Sequence, residues 1–343
     1  MNKMKTMIHI LRNTCLAALA VVLAASCTQT AEEGANEAAQ RYFDAWRAIH
    51  YPNAQEKDGV YLVDEQPGTG SEWRNDLPVT FLTYTIRSLD GTVSSNSDED
   101  MARQLGEYDQ TYYYGPQVAL TGESISYAGL DAILKGMRQG GTRTAIIPSW
   151  LMTYKRYDTT DEYLNYSTDN SAAIYTVTFL DQTDNLAEYE YRTLRQYASD
   201  HWGVTDTLST AAVFFKSFTE FENEPEEMPN DTTVYINYTG RRVYDGQVFD
   251  TTIADTAKFY NIYSSSKTYE PVAITMAEDP SSIKMGTSSS LIDGFKYGLK
   301  AMHAGEKASF AFGYRLGYSS SGSGNLIPAY AALQFDIELV PEP

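Results

Sequence analysis

An α+β fold of two domains, each an antiparallel sheet curved around a short helix, is what the sequence predicts, and three observations predict it. Alternation of apolar and polar residues dominates and is broken by Asp-Gly turns, as in "VYINYTGRRVYDGQVFDTT" from Val234 to Thr252. One short segment of helical period sits inside each run of strands. The whole order occurs twice, at an offset of about 155 residues that carries Gly91 of one turn onto Gly246 of the other, a period too long for a solenoid and suited to a duplicated domain. A length of 343 residues agrees, being too long for one ordinary core.

The composition, 43% hydrophobic and 21% charged, is that of a globular chain, and 27 tyrosines suit pleated, half-exposed surfaces. The formal net charge of −19 argues against nucleic acid or an anionic membrane surface as a partner.

Residues 1–26 read as a secretory signal, because Lys3, Lys5 and Arg12 precede an apolar run, "CLAALAVVLAAS", too short to span a bilayer as a stable helix. Its end, "LAASC", resembles the lipobox of bacterial lipoproteins, which implies cleavage before Cys27 and acylation of that cysteine. A plain signal peptide followed by an incidental cysteine fits the same residues. Cys15 lies inside the removed segment, so the mature chain is left without disulfide or thiol chemistry.

Residues 27–58 read as an acidic tether, "TQTAEEGANEA", followed by an amphipathic helix with Ala39, Tyr42, Phe43, Trp46 and Ile49 at helical spacing. Glu32-Glu33 resembles signals that sort lipoproteins to the outer face of the outer membrane; a tether with no sorting meaning fits as well. The first domain, 59–183, then runs through the strand "GVYLVDE", the turn-rich "QPGTGSEWRNDLP", the strand pair "VTFLTYTIRSLDGTVSS", the helix-turn-strand "ISYAGLDAILKGMRQGGTRTAIIPSWLMTY" and a closing strand, "AAIYTVTFLD". The second, 184–343, repeats this order: the helix "YEYRTLRQYASDHWG", the strand "AAVFFKSFTEF", the connection "ENEPEEMPND", the strand pair already quoted, "SSLIDGFKYGLKAMHAGEKASFAFGYRLGY", and the closing "AALQFDIELV".

Three segments of the second half, "YTG…DGQVFD", "LIDGFKYGLKAMHAGEK" and "IPAYAALQFDIEL", taken in order resemble the FKBP-type peptidyl-prolyl isomerases, whose curved sheet wraps a short helix. The resemblance implies a pocket with Tyr238, Phe249 and Asp250 on its early wall, Leu291 and Ile292 leading into the helix, and Phe295 as an aromatic floor where the family usually has Trp. It implies Tyr318 as a hydroxyl reaching the ligand, with Ile327 and Phe335 completing the apolar lining. Each of these apolar residues fits a plain core position equally well. Asp250 is different, because a carboxylate directly after an apolar ring needs a partner or solvent.

Such a pocket would act on proline-containing polypeptides with no cofactor and no metal. Two departures from the family pattern stand out. The stretch from Asp250 to Leu291 is long and contains an inserted loop around "IYSSSKTY", which would form a lid, a specificity loop or an obstruction. In the first half Tyr84 is kept, but Ser94 and Ser95 fall where the second half has Phe249 and Asp250, Leu130 takes the floor, Thr153 falls at the place of Tyr318, and Tyr175 roughly replaces Phe335. With few aromatics and no carboxylate, that copy reads as degenerate.

Elsewhere His9, His50, His201 and His303 lack metal-ligand spacing, and no nucleophile-elbow, zinc-protease or phosphate-loop pattern occurs. The sequence thus predicts a lipid-anchored protein of the cell envelope, at the outer membrane, isomerising X-Pro bonds of exported proteins. A non-enzymatic, chaperone-like subunit of an outer-membrane assembly is the second reading. A tyrosine-rich glycan-binding accessory is the third.

Overall fold

Period-two sequences end where the chain can turn, and Asp90-Gly91 and Asp245-Gly246 supply those ends: Gly91 and Gly246 have φ of 91° and 71°, in the left-handed region that only glycine adopts freely. Around these turns the computed structural model describes residues 34–165, 170–286 and 291–343. The secretory signal and Cys27 lie outside the described residues.

In chain order the elements are helix α1 (Ala35–His50), strands β1 (Gln55–Lys57), β2 (Val60–Gln66), β3 (Val79–Ser88) and β4 (Val93–Asn96), and helix α2 (Glu99–Leu105). Strand β5 (Gln117–Leu120), helix α3 (Ala128–Leu134), strand β6 (Thr142–Ile147), helix α4 (Thr160–Leu164) and strand β7 (Ala173–Thr183) follow. The second half contains helix α5 (Leu186–Trp202), strands β8 (Val213–Ser217), β9 (Thr233–Arg242) and β10 (Val248–Thr251), and helix α6 (Ala254–Phe259). Strands β11 (Val272–Thr275) and β12 (Lys284–Met285), helix α7 (Asp293–Lys300) and strands β13 (Lys307–Phe312) and β14 (Leu333–Val340) complete it.

These strands form two antiparallel sheets of the same order. One runs β2-β6-β7-β3 with β4 and β5 sharing the far edge of β3; the other runs β8-β13-β14-β9 with β10 and β11 sharing that of β9. The register repeats too: Tyr84 faces Val177 and Ile86 faces Tyr175, as Tyr238 faces Ile337 and Gly240 faces Phe335. Each sheet adds one strand of its own, β1 on β2 and β12 on β11. β1 begins at Gln55, ahead of residue 59, and its three exposed polar residues offer no alternation for a sequence reading to detect.

The described residues divide into two compact units, the smaller ending at Pro52 and taking in Tyr157–Ser171, the larger formed by Asn53–Arg156 and Ala172–Pro343. In the smaller, the Asn36 Nδ2 of α1 donates to the Tyr163 carbonyl of α4 at 3.1 Å. The larger holds both sheets.

Alternation along β13 gives the second sheet two apolar faces. Phe310 and Phe312 point into a core with Phe295 and Leu299 of α7, while Ala311 packs on the other side with Leu194 and Ala198 of α5. The helix α7 lies close to the sheet because a Cβ at Gly294 or Gly298 would stand 2.3 Å from the Phe312 ring or 2.4 Å from that of Phe310. Helix α5 starts where the Asn185 side chain accepts the Glu188 N–H and ends at Gly203 with φ of 67°. No helix among the described residues is long and apolar enough to cross a membrane.

Candidate functional site

Adjacent residues of a strand normally point to opposite faces, yet Phe249 and Asp250 both line one cavity. A bulge permits this. Val248 pairs with Arg241 and Asp250 with Gly240, leaving Phe249 as the extra residue that re-aims its ring. The ring then meets Phe335 edge-on, with centroids 5.7 Å apart at 80°.

The cavity, about 140 Å³, is lined by Tyr238, Phe249, Asp250, Leu291, Ile292, Phe295, Tyr318 and Phe335, together with Met285. Eight of the nine residues singled out from the sequence therefore surround one space; Ile327 does not line it. It is buried in the adjoining core, and its backbone pairs with Ser323. Phe295 stands edge-on to Phe335 at 4.9 Å and to Tyr238 at 5.9 Å, so floor and walls hold one another in perpendicular geometry.

Polar groups sit at one side. The Tyr238 hydroxyl donates to Asp250 Oδ2 at 2.5 Å, and the Tyr238 N–H donates to Thr252 Oγ1 at 2.9 Å. Burial first, and the Asp250 charge second, raise the Tyr238 phenol far above its ordinary value, so it stays a donor. Burial and Asp250 likewise raise Tyr318. Lys267 pairs with Asp250 Oδ1, closing the carboxylate between a phenol and an ammonium. Ile292 caps α7, and among the described residues its N–H donates to no partner.

Met285, from the short strand β12, escapes a sequence reading. Lys267 belongs to the inserted loop "IYSSSKTY" that the sequence offers as a lid, specificity loop or obstruction; its ion pair with Asp250 is what the sequence does not show. Gly240, mid-strand in β9, carries a detectable signal: a glycine inside a strand marks a close approach. A Cβ there would lie 2.7 Å from the Phe249 ring and 2.8 Å from that of Phe335.

The same constellation is recognisable in the first sheet with different chemistry. Ser95 pairs with Ile86, Ser94 is the bulged residue, and the Tyr84 hydroxyl lies 3.3 Å from Ser95 Oγ. Ile86 fills the place of Gly240. Thr153 is buried, its hydroxyl donating to the Trp150 and Lys155 carbonyls, while Tyr154 is 52% exposed and packs on Tyr127 at 4.5 Å. Tyr175 is pushed up to about 12 by burial and then by Tyr127, Tyr84 and Tyr154. Aromatic rings are thus less scarce here than the alignment of turns suggests, but the site carboxylate is replaced by a hydroxyl. No group of His, Cys, Asp and Glu among the described residues could hold a metal ion.

Comparison with known proteins adds a family to this geometry. Residues 224–340 match the model of the FKBP-type peptidyl-prolyl cis-trans isomerases. The chain is 33% identical over 113 residues to FK506-binding protein 2 of Candida glabrata, a match covering 33% of this chain and 65% of that protein. Among solved structures it is similar to the three FKBP domains of wheat FKBP73, with 18% identity, 82% of this chain and 94% of that chain covered, and a TM-score of 0.28. It is also similar to FkpA from Escherichia coli, with 23% identity, 45% and 58% covered, and a TM-score of 0.31.

Proposed function

We propose that the FKBP-type domain at 224–340 catalyses cis-trans isomerisation of X-Pro peptide bonds in exported polypeptides, using the cavity between Phe249, Phe295 and Phe335. The family match supports the reaction class. The observation that carries the site is the convergence of an aromatic cavity with one phenol-bound carboxylate and one helix-start N–H, that of Ile292, which donates to no partner among the described residues.

Rotation about a peptide bond faces a barrier of roughly 18–20 kcal/mol set by amide resonance. Water stabilises the planar, charge-separated form through hydrogen bonds to the carbonyl, and an aromatic cavity withdraws them. The twisted amide, with less charge on oxygen, loses less on entering, so the barrier falls without a nucleophile or metal. The Ile292 N–H and the Tyr318 hydroxyl are placed to hold substrate carbonyls, fixing the chain on either side of the rotating bond. Tyr238 and Lys267 keep Asp250 fixed at the rim.

The same proposal puts the protein in the cell envelope, anchored at the outer membrane through an acylated Cys27. Support for that comes from the "LAASC" run after a short apolar segment and from the acidic stretch that follows. Electrospray mass of Cys27 peptides from a bacterial membrane fraction tests it: a thioether-linked diacylglycerol mass is expected, and an unmodified cysteine in a secreted chain overturns it.

The activity is tested on short X-Pro peptides. Phe249→Ala removes the ring that closes the cavity and is expected to lower kcat/KM by about tenfold or more, equivalent to at least about 1.4 kcal/mol of transition-state stabilisation. An unchanged rate in Phe249→Ala and Asp250→Ala, both folded by circular dichroism, removes the site assignment. Absence of catalysis in the unaltered chain moves the reading to the binding scaffold, which the serine pair at Ser94 and Ser95 of the first sheet also favours.

A further inference from the structure

An aromatic-lined cavity of about 290 Å³ is separate from the site above and lies where the two sheets meet. Phe81 of β3 and Tyr113 line it from the first half, Tyr189 lines it from α5, and Tyr244, Pro328 and Tyr330 line it from the second half. Not one charged side chain lines it, in a chain of net charge −19. From this geometry we infer a second peptide-binding site, which holds an extended, uncharged, proline- or leucine-bearing segment of a polypeptide.

The walls fit that ligand. Phe81 and Tyr189 stack at 4.5 Å, and Tyr314 backs Tyr330 edge-on at 5.2 Å, so the rings are held in place before anything binds. Aromatic slots bearing hydroxyls are what proline-rich, extended chains dock into, since the stiff ligand loses little entropy and each exposed carbonyl finds a donor. Burial raises Tyr113 to about 12 and raises Tyr189 and Tyr244 as well, so the hydroxyls remain protonated donors at neutral pH.

A polypeptide, not a compact small molecule, is indicated by what adjoins the slot. Past Tyr189 and Thr193, which line both, lies an open polar groove lined by Gln182 and Gln196 and by the opposite charges of Asp181 and Arg192. An apolar slot adjoining amide, carboxylate and guanidinium groups suits one apolar residue followed by peptide backbone, whose N–H and C=O groups those side chains can bond.

Arg242 joins the two halves beside the slot, 5.6 Å from the Tyr113 ring centroid. Its buried guanidinium donates to the Thr111 and Tyr112 carbonyls of the first half at 2.9 and 3.4 Å, to the Leu326 carbonyl of the second, and to Asp245 Oδ2 at 2.7 Å. The loop Tyr318–Tyr330 joins the two sites, since it presents Tyr318 to the isomerase cavity and Pro328 and Tyr330 to the slot. A client held in the slot therefore sits beside the cavity that would act on it; only this relation rests on the isomerase reading.

The test uses the full chain and a labelled, capped decapeptide of alternating leucine and proline, with the matching tetrapeptide for comparison. Fluorescence anisotropy is expected to show the decapeptide still binding to Phe249→Ala, about tenfold more tightly than the tetrapeptide, and about tenfold more weakly once Thr193→Trp is added to fill the slot. Thr193→Trp alone is expected to leave tetrapeptide isomerisation unchanged. Val118→Trp fills the slot from the opposite wall, and in the unaltered chain the decapeptide is expected to shift the amide resonances of Tyr113, Tyr189 and Tyr330. Equal affinity in both folded tryptophan variants, no gain from peptide length, or shifts confined to the isomerase cavity each overturn the inference. Slot binding in a chain that isomerises no tetrapeptide upholds it and removes the isomerase reading instead.

Discussion

A buried carboxylate on α5, Glu190, is expected to make the stability of this protein pH-dependent. Glu190 on α5 is 5% exposed, accepts the Tyr314 N–H at 2.9 Å, and occupies space left by Gly313, where a Cβ would stand 2.1 Å from its Oε2. Burial pushes its carboxyl up to about 7, outweighing that hydrogen bond and the charge of Arg315. A carboxyl whose folded value is raised stabilises the fold fully below its unfolded value, and that stability is lost as pH rises through the folded one. Stability should therefore fall between about pH 4.5 and pH 7 by an amount on the order of 3 kcal/mol from this group. Glu190→Gln keeps an acceptor without the charge, so its Tm at pH 8 is expected to exceed that of the unaltered chain, with the gap closing at pH 5. Parallel Tm curves across that window would show that Glu190 is not the titrating group.

At the scale of the element, the bulged strand β10 and the glycine facing it in β9 form one device. The bulge turns Phe249 inward, and Gly240 leaves the room in which Phe249 and Phe335 meet. Gly240→Ala pushes a methyl group into both rings, an overpacking expected to cost about 1–3 kcal/mol. Urea denaturation reads that cost, and the X-Pro turnover proposed for this cavity is expected to fall with it because the displaced rings are the cavity wall. A variant as stable and as active as the original would mean that the rings relax freely. The first sheet keeps the bulge but has Ser94 exposed in it, bonded to the Ile86 carbonyl, and Ile86 across from Ser95, so strand pairing survives without an aromatic ring at the bulge.

At the scale of the whole molecule, the two sheets belong to one compact unit, and Arg242 is the side chain that ties them through backbone carbonyls on both sides. Removing a fully buried charge that satisfies several acceptors leaves them unpaired, a loss of about 3–5 kcal/mol. Arg242→Met is expected to split a single denaturant transition into two, one for each sheet, when circular dichroism is compared with tryptophan fluorescence. Trp73 and Trp150 pack in the core of the first sheet and Trp202 packs with α5 against the second, so Trp202→Phe in the same background assigns each transition to its sheet. One unaltered transition would place the coupling elsewhere.

The sequence by itself determined the main strands and the helices α1, α3, α5 and α7, because alternation, Asp-Gly turns and helical spacing are local, and the ordered likeness of three segments picked out eight residues that surround the cavity; the short helices α2, α4 and α6 and the strands β5, β11 and β12 carry too few periods to be read. It missed Met285, which lines the cavity from a two-residue strand, and it named the loop of Lys267 without showing that this residue pairs with Asp250. It could not show that Ile327 turns into the core, that a bulge lets neighbours face one way, or that Arg242 crosses from one sheet to the other. Those are decided by the tertiary structure alone, since each depends on which distant backbone a side chain meets once the sheets have closed.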